Sequence, residues 1–308
     1  LDDNRTYTLA SRTGRYVFAG SWGGGLFRLD TASGEITSFR HGAGREFGLS
    51  HDTVYSLEFD DAGALWIGTN GGGINRFSRR RVYRVRFRHD PERSHSLSNG
   101  KVTAIHRHSS GTLWIGTYNG GLNRYDPARD RMIHYRAPGA TAESRISDDI
   151  ITSIFEDGSG TLWVGTNDGM NRYDPGKDHF VTYHADPGND RSIPADIIYA
   201  FEQDREGRLW VGTYSAGVFL WDTEEGTVAH YPHDPKDPTS LSDNLVYDIH
   251  KQQNGSVWVA TNRGVNRLDP GAEGWDRYLH DTNDRSTISS DTTRAIHESS
   301  DGTIWIGT

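Results

Sequence analysis

Leu-Trp-Ile-Gly-Thr occurs at Leu65–Thr69 and again at Leu113–Thr117, and as Leu-Trp-Val-Gly-Thr at Leu162–Thr166 and Leu209–Thr213. Val257–Thr261 and Ile304–Thr308 are further copies. With the glycine as marker, and Gly20 and Ala260 as its diverged forms, the motif falls at positions 20, 68, 116, 165, 212, 260 and 307, in steps of 47 to 49 residues. A period that regular makes the chain one supersecondary unit copied end to end.

Superimposed, the copies share four short segments bounded by glycine, proline or Asx residues. The first is Val54–Leu57, matched by Val102–Ile105, Ile151–Ile154, Val246–Ile249 and Thr6–Leu9. The second is the Trp-Ile-Gly-Thr run, and the third is Gly121–Asp126, matched by Gly169–Asp174 and Gly264–Asp269. The fourth centres on Phe87, Tyr135, Tyr183, Tyr231 and Tyr278. Short β-branched and aromatic runs between turn signals predict strands, and none carries a sustained helical period. Four antiparallel strands in a unit of this length form the blade of a β-propeller. The fold expected is all-β, a seven-bladed β-propeller of four-stranded antiparallel blades, in which residues 1–308 form one domain. Six repeats are full, and residues 293–308 begin a seventh blade that is incomplete within the chain.

Trp66, Trp114, Trp163, Trp210, Trp258 and Trp305 occupy one repeat position and are expected to pack between blades as scaffold. The preceding turn, Asp-x-x-Gly-x-Leu-Trp at Asp60–Trp66, Asp157–Trp163 and Asp204–Trp210, places two residues between Asp and Gly. The Asp-box of sialidases has one, so the segment reads as a hairpin turn with Asp bonded to its own backbone.

Composition removes several functional classes. A net charge of −9 with basic residues scattered through every unit leaves no footprint for nucleic acid. No run of 18 apolar residues and no signal-peptide pattern is present. The lack of cysteine suits an exported protein without disulfides as well as a cytosolic one. Because the chain starts with Leu1 and stops inside a unit, a fragment of a longer polypeptide is expected.

Candidate ligand residues lie where the second strand leads to the third, on the same rim as the connection into the first strand. The residue after the repeated Thr or Ser is Trp22, Asn70, Tyr118, Asn167, Tyr214 or Asn262, alternately aromatic and amide. An aromatic face beside amide groups suits a sugar ring, and the alternative is that Asn serves the turn and the rings pack on the rim. The departures from the repeat, Trp22, Tyr118, Asn119, Asp168, Tyr214 and Arg263, are the strongest candidates, joined by Asn70 and Asn167. A second ring, Asn4, Asp52, Gly100, Asp149, Asp196, Asn244 and Asp291, recurs once per unit and reads first as turn capping.

Catalytic and metal chemistry are not called for. His41, His89, His233 and His280 share one repeat position, and His106, His250 and His297 another, so they fall on different blades and form no metal cluster. The linkers Asp186–Asp190 and Asp281–Asp284 lack calcium-loop spacing. No nucleophile stands with a base, and no motif for a cofactor is present.

The composite unit, Leu241–Ile249, then Gly-x-x-Trp-Val, then Gly264–Pro270, resembles the two-component regulator propeller repeat over essentially the whole chain. The most specific parts are Asp90-Pro91 with Ser96-Leu97-Ser98, Asp234-Pro235 with Ser240-Leu241-Ser242, and the pairing of Trp-Ile-Gly-Thr with Asn-Arg-Tyr-Asp. The resemblance implies the periplasmic or extracytoplasmic sensor portion of a hybrid histidine kinase or related signalling protein. There, propellers precede a β-sandwich, a membrane span and an output domain. It implies a small-molecule or oligosaccharide ligand, a homodimer formed through the parent protein, and membrane attachment only through a downstream segment. The streptogramin-lyase propeller is the second relative, with a Gly-x-x-Trp turn but a Thr-Glu and Ile-Gly-Arg pattern absent here. A protein-interaction platform is the third reading, since a propeller fold alone does not fix function.

Overall fold

The computed structural model describes residues 5–42, 48–78, 81–84, 87–137 and 146–308. All regular structure in them is β. Six sheets, at residues 6–39, 54–84, 102–135, 151–183, 198–231 and 246–278, have four strands each, paired antiparallel in chain order. A seventh, at residues 295–307, has two. The first strands, Thr6–Ser11, Val54–Phe59, Val102–Arg107, Ile151–Glu156, Ile198–Gln203, Val246–Lys251 and Ala295–Glu298, each pack on the next, and the last packs on the first. The ring is thus closed around a central channel, and the Thr6 N–H donates to the Thr308 carbonyl at 2.8 Å across the seam.

The marker glycine makes that ring possible. A Cβ at Gly116 would stand 2.5 Å from Cγ2 of Ile151, and one at Gly212 2.5 Å from Cγ1 of Val246, each at the start of the next blade's first strand. The glycine therefore serves close approach between sheets. Where Ala260 replaces it, the corresponding residue of the next blade is Thr293, whose Oγ1 accepts from the Thr261 N–H at 3.0 Å.

The repeated tryptophan packs across blades as expected. Trp114 and Trp163 are essentially buried, the first against Ile151, Leu162 and Phe180 of the following blade, the second against Phe201, Phe219 and Trp221. Its turn is as read from the sequence. Asp157 Oδ1 accepts from the Thr161 N–H at 3.0 Å, Oδ2 accepts from the Trp163 indole at 2.8 Å, and Gly160 takes a φ of 83°. Burial alone would raise the Asp157 carboxyl, but Ser159, Trp163 and Thr161 hydrogen bonds outweigh it and hold it below the ordinary range.

The Ser-Leu-Ser and Asn-Arg motifs meet in a buried polar knot in the second, third, fourth and sixth blades. Asn266 accepts from the Ser242 N–H at 2.8 Å and donates to Ser242 Oγ at 2.8 Å, and Ser242 Oγ bonds Thr261 Oγ1 at 2.9 Å. Asn75, Asn123 and Asn171 repeat the arrangement with Ser50, Ser98 and Ser147. The fifth blade lacks both partners, having Pro194 and Phe219 at the equivalent positions. Losing both polar groups together costs little, whereas losing one strands the other. Asn266→Ala is accordingly expected to destabilise the chain by about 1–3 kcal/mol, because it leaves the buried Ser242 N–H without its acceptor and removes the amide donor from the Ser242 hydroxyl. Chemical denaturation measures this, and a change under about 0.5 kcal/mol would contradict it.

The histidines act as clips. His89 and His233 Nδ1 lie 2.8 and 2.6 Å from the carbonyls of Leu97 and Leu241, holding the linkers. At the far end of the first strands His106 Nε2 meets Glu156 at 3.1 Å, His250 Nε2 meets Glu298 at 3.3 Å, and His297 Nε2 meets Ser11 at 2.7 Å, each bridging two blades.

Candidate ligand site at the channel mouth

One residue in the first strand of each four-stranded sheet escapes the ladder. Pairing with the second strand jumps from Thr6 to Thr8, Val54 to Ser56, Ile198 to Ala200 and Val246 to Asp248, so Tyr7, Tyr55, Tyr199 and Tyr247 bulge out of register. The same jump frees Thr103 and Thr152, whose hydroxyls donate to the carbonyls of Ile151 and Ile198 in the next blade. In the seventh sheet the equivalent residue is Arg294.

These side chains gather at the mouth of the channel. Tyr7 meets Tyr55 edge-on at 5.5 Å, and Tyr199 stacks on Tyr247 at 6.2 Å with 10° between planes. The Arg294 guanidinium lies between the two pairs, 4.8 Å from the Tyr7 ring and 4.3 Å from the Tyr247 ring. The Lys101 ammonium is 5.4 Å from the Tyr55 ring and 3.7 Å from the Tyr118 ring. Trp22 joins Tyr7 and Tyr55 at 5.6 and 6.0 Å beneath Arg5, and Tyr214 meets Tyr199 edge-on at 5.9 Å. The result is a continuous arc of rings and cations running from the fifth blade through the sixth, the two-stranded sheet and the first blade to the third.

Burial, with Tyr7 and Tyr118 adding to it, pushes the Tyr55 hydroxyl up to about 12. Burial, with Tyr247, Tyr214 and Tyr118, also raises Tyr199 against the pull of Arg294. Burial lowers the Lys101 ammonium. The Tyr55 and Tyr199 phenols therefore stay neutral across the physiological range. Arg5 and Arg294 further line a cleft of ≈ 680 Å³ with Ser289, Ser290 and Thr292.

The connection residues read from the sequence are fixed on this rim by the backbone. The N–H groups of Trp22, Asn70, Tyr118 and Tyr214 donate to the carbonyls of Arg5, Thr53, Lys101 and Ile197, the residues just before the first strands. Trp22, Tyr118 and Tyr214 enter the arc, the last two with exposed rings. Asn70 is half-buried beside Lys101, and Asn119 takes a φ of 60°, the left-handed conformation its turn requires. In the fourth and sixth blades the connection is shorter: Asp168 and Arg263 donate their N–H groups to Thr166 and Thr261, and Asn167 is half-buried before them. Asp168 faces His184, and Arg263 lines a cleft with His233 and Leu279, so these two lie outboard of the arc.

The Asx ring caps turns as expected. Asp52, Asp149, Asp196, Asn244 and Asp291 accept from the N–H groups of His41, Ala137, Ala185, His233 and His280. Asn4 lies outside the described residues. Asp186 and Asp284 are likewise spent on the linker N–H groups of Gly188 and Ser286. His184 Nδ1 lies 3.6 Å from Asp168 and 3.7 Å from Asp196, the one grouping among the described residues whose geometry would admit a cation. All three are partly or fully exposed, and Asp196 already serves as a cap.

The closed ring of meander sheets defines a β-propeller with an aromatic face on its axis. Residues 48–71, 96–119, 145–168 and 192–215 match the two component regulator propeller. Among curated proteins, none matches this sequence. The extracellular domain of a putative hybrid two component system from B. thetaiotaomicron is similar over 100% of this chain and 39% of its own, at 19% identity and a TM-score of 0.80. A second such domain from that organism is similar over 97% of this chain and 46% of its own, at 22% identity and a TM-score of 0.55. Virginiamycin B lyase from Staphylococcus aureus is similar over 99% of this chain and 92% of its own, at 15% identity and a TM-score of 0.71. The chain thus spans under half the length of the two extracellular domains, and at these identities the likeness is one of fold.

Proposed function

We propose that the chain is the extracytoplasmic ligand-sensing propeller of a two-component-type signalling protein, that its two-stranded sheet is the first half of a seventh blade, and that it binds an oligosaccharide at the channel mouth. The arc of aromatic rings carries this reading. Sugar rings stack their axial C–H groups on such faces, and the phenols and amides beside them satisfy hydroxyl groups. Binding would shift how the propeller docks on its partner copy or neighbouring domain by the difference in affinity between the two arrangements. The family repeats favour sensing over catalysis, and the lyase likeness supports no named acid, base or nucleophile here. Trp22→Ala, Tyr118→Ala and Tyr214→Ala together are expected to lower oligosaccharide affinity at least about tenfold, read by calorimetry with the best ligand from a glycan array. Unchanged affinity with an unchanged melting temperature would end the proposal.

A further inference from the structure

We infer that the ligand of this mouth carries an anionic group, a carboxylate or a sulfate, received by Arg294 with Lys101 on the other side of the arc. The inference rests on the reading of the mouth as a saccharide site and names the chemical class of saccharide. At the bulged position the six four-stranded blades present Tyr or Thr, which would serve a neutral sugar; the equivalent residue of the last sheet, just before its first strand, is the arginine.

That guanidinium is held between two ring faces and donates to the neutral Tyr247 hydroxyl, while its Nε is buried with no hydrogen-bond partner. The Lys101 ammonium is also drawn over a ring, at 3.7 Å. Among the described residues neither cation belongs to an ion pair, although the chain has a net charge of −9. Asp243 acts on Tyr247 at this end of the arc, and its Oδ1 accepts from the Leu245 N–H. Ring faces offset part of the loss of water around a cation. The remainder is an unmet demand for negative charge, and the planar fork of arginine meets a carboxylate or sulfate with two parallel hydrogen bonds. Sugar rings stacked on Trp22 and Tyr118 would place such a substituent between the two cations.

The test is a glycan array carrying neutral, uronic-acid and sulfated oligosaccharides, probed with the purified chain and followed by calorimetry. Binding confined to acidic glycans is expected, the uronate and sulfate arms telling which anion is recognised. Arg294→Gln and Lys101→Gln should each weaken it by roughly 10- to 100-fold. Arg294→Lys should retain part of the affinity, and added salt should weaken the wild type more than Arg294→Gln. Neutral glycans bound with an affinity that Arg294→Gln leaves unchanged would overturn the anion while leaving the saccharide reading intact. An array with no binding in any class would overturn both. If Arg294→Gln does not fold, Lys101→Gln and the salt dependence of the wild type decide.

Discussion

Trp163→Ala is expected to cost the fold about 3–5 kcal/mol, the range for emptying a fully buried aromatic site. The side chain has no exposed surface and fills the seam between the fourth and fifth blades against Phe201 and Trp221. Its indole N–H also completes the Asp157 turn. A propeller is a ring of neighbour interfaces, so one opened seam weakens closure for all of them. Thermal and urea denaturation measure the loss. Trp258→Ala is the internal comparison, because Trp258 is only partly buried and its indole is held by Gln252. Equal losses for the two would show that burial at the seam is not what the repeated tryptophan contributes.

Removing the charge of Asp248 is expected to change how stability depends on pH. This carboxyl accepts from the N–H groups of Ile249 and Ile296 at 2.9 and 2.7 Å, under the junction of the sixth blade and the last sheet. Burial, with Glu202 adding to it, pushes it up to about 7 against those hydrogen bonds. Glu58, buried in the second blade, is likewise pushed up to about 7. Between an unfolded carboxyl near about 4 and this folded value the native state binds the extra proton, so each group's contribution to stability falls as pH rises across that window. Two opposing sets also titrate. His106, His134 and His297 are lowered by burial, so their contribution is lost as pH falls below about 6.5. Asp60 and Asp157 are held low by hydrogen bonds that outweigh burial, and their contribution is lost in stronger acid. Comparing Asp248→Asn with the wild type at each pH cancels those terms. The variant gives up one backbone hydrogen bond at every pH, but between about pH 4 and 8 its stability relative to wild type should rise by on the order of 3 kcal/mol. A difference that stays flat across that range would mean the carboxyl ionises freely in the folded state.

Much of the architecture was legible because it is periodic. The glycine of Trp-Ile-Gly-Thr recurs where neighbouring first strands touch, the tryptophan where seams are filled, and the Ser-Leu-Ser and Asn-Arg motifs where a polar knot closes four of the blades. The rim position of Trp22, Tyr118 and Tyr214 was legible too, since it follows from strand order alone. The other half of the arc was not. Tyr7, Tyr55, Tyr199 and Tyr247 stand inside strands, where alternation assigns a residue to one face or the other, and only the bulge turns them into the channel. A tyrosine at the second position of the first segment in four of the copies was the available signal. Asp168 and Arg263 were departures of another kind, because a connection shortened by one residue swings its second residue outboard.

The bulge in the first strand of each four-stranded sheet separates two jobs that a regular strand would force on the same residues. The side chains in register pack on the adjoining sheets, whereas the displaced one stands clear of the ladder, stacking on its neighbours at the mouth as the tyrosines do or bonding the next blade's backbone as Thr103 and Thr152 do. Six such positions, with Arg294 as their counterpart in the last sheet, can be rewritten with Tyr, Thr and Arg already among the letters in use, while the glycine, tryptophan and asparagine framework stays fixed. Paralogues built on this repeat are expected to differ most at those seven places, and grafting one propeller's seven residues onto another should carry its ligand preference across without redesign of the blades.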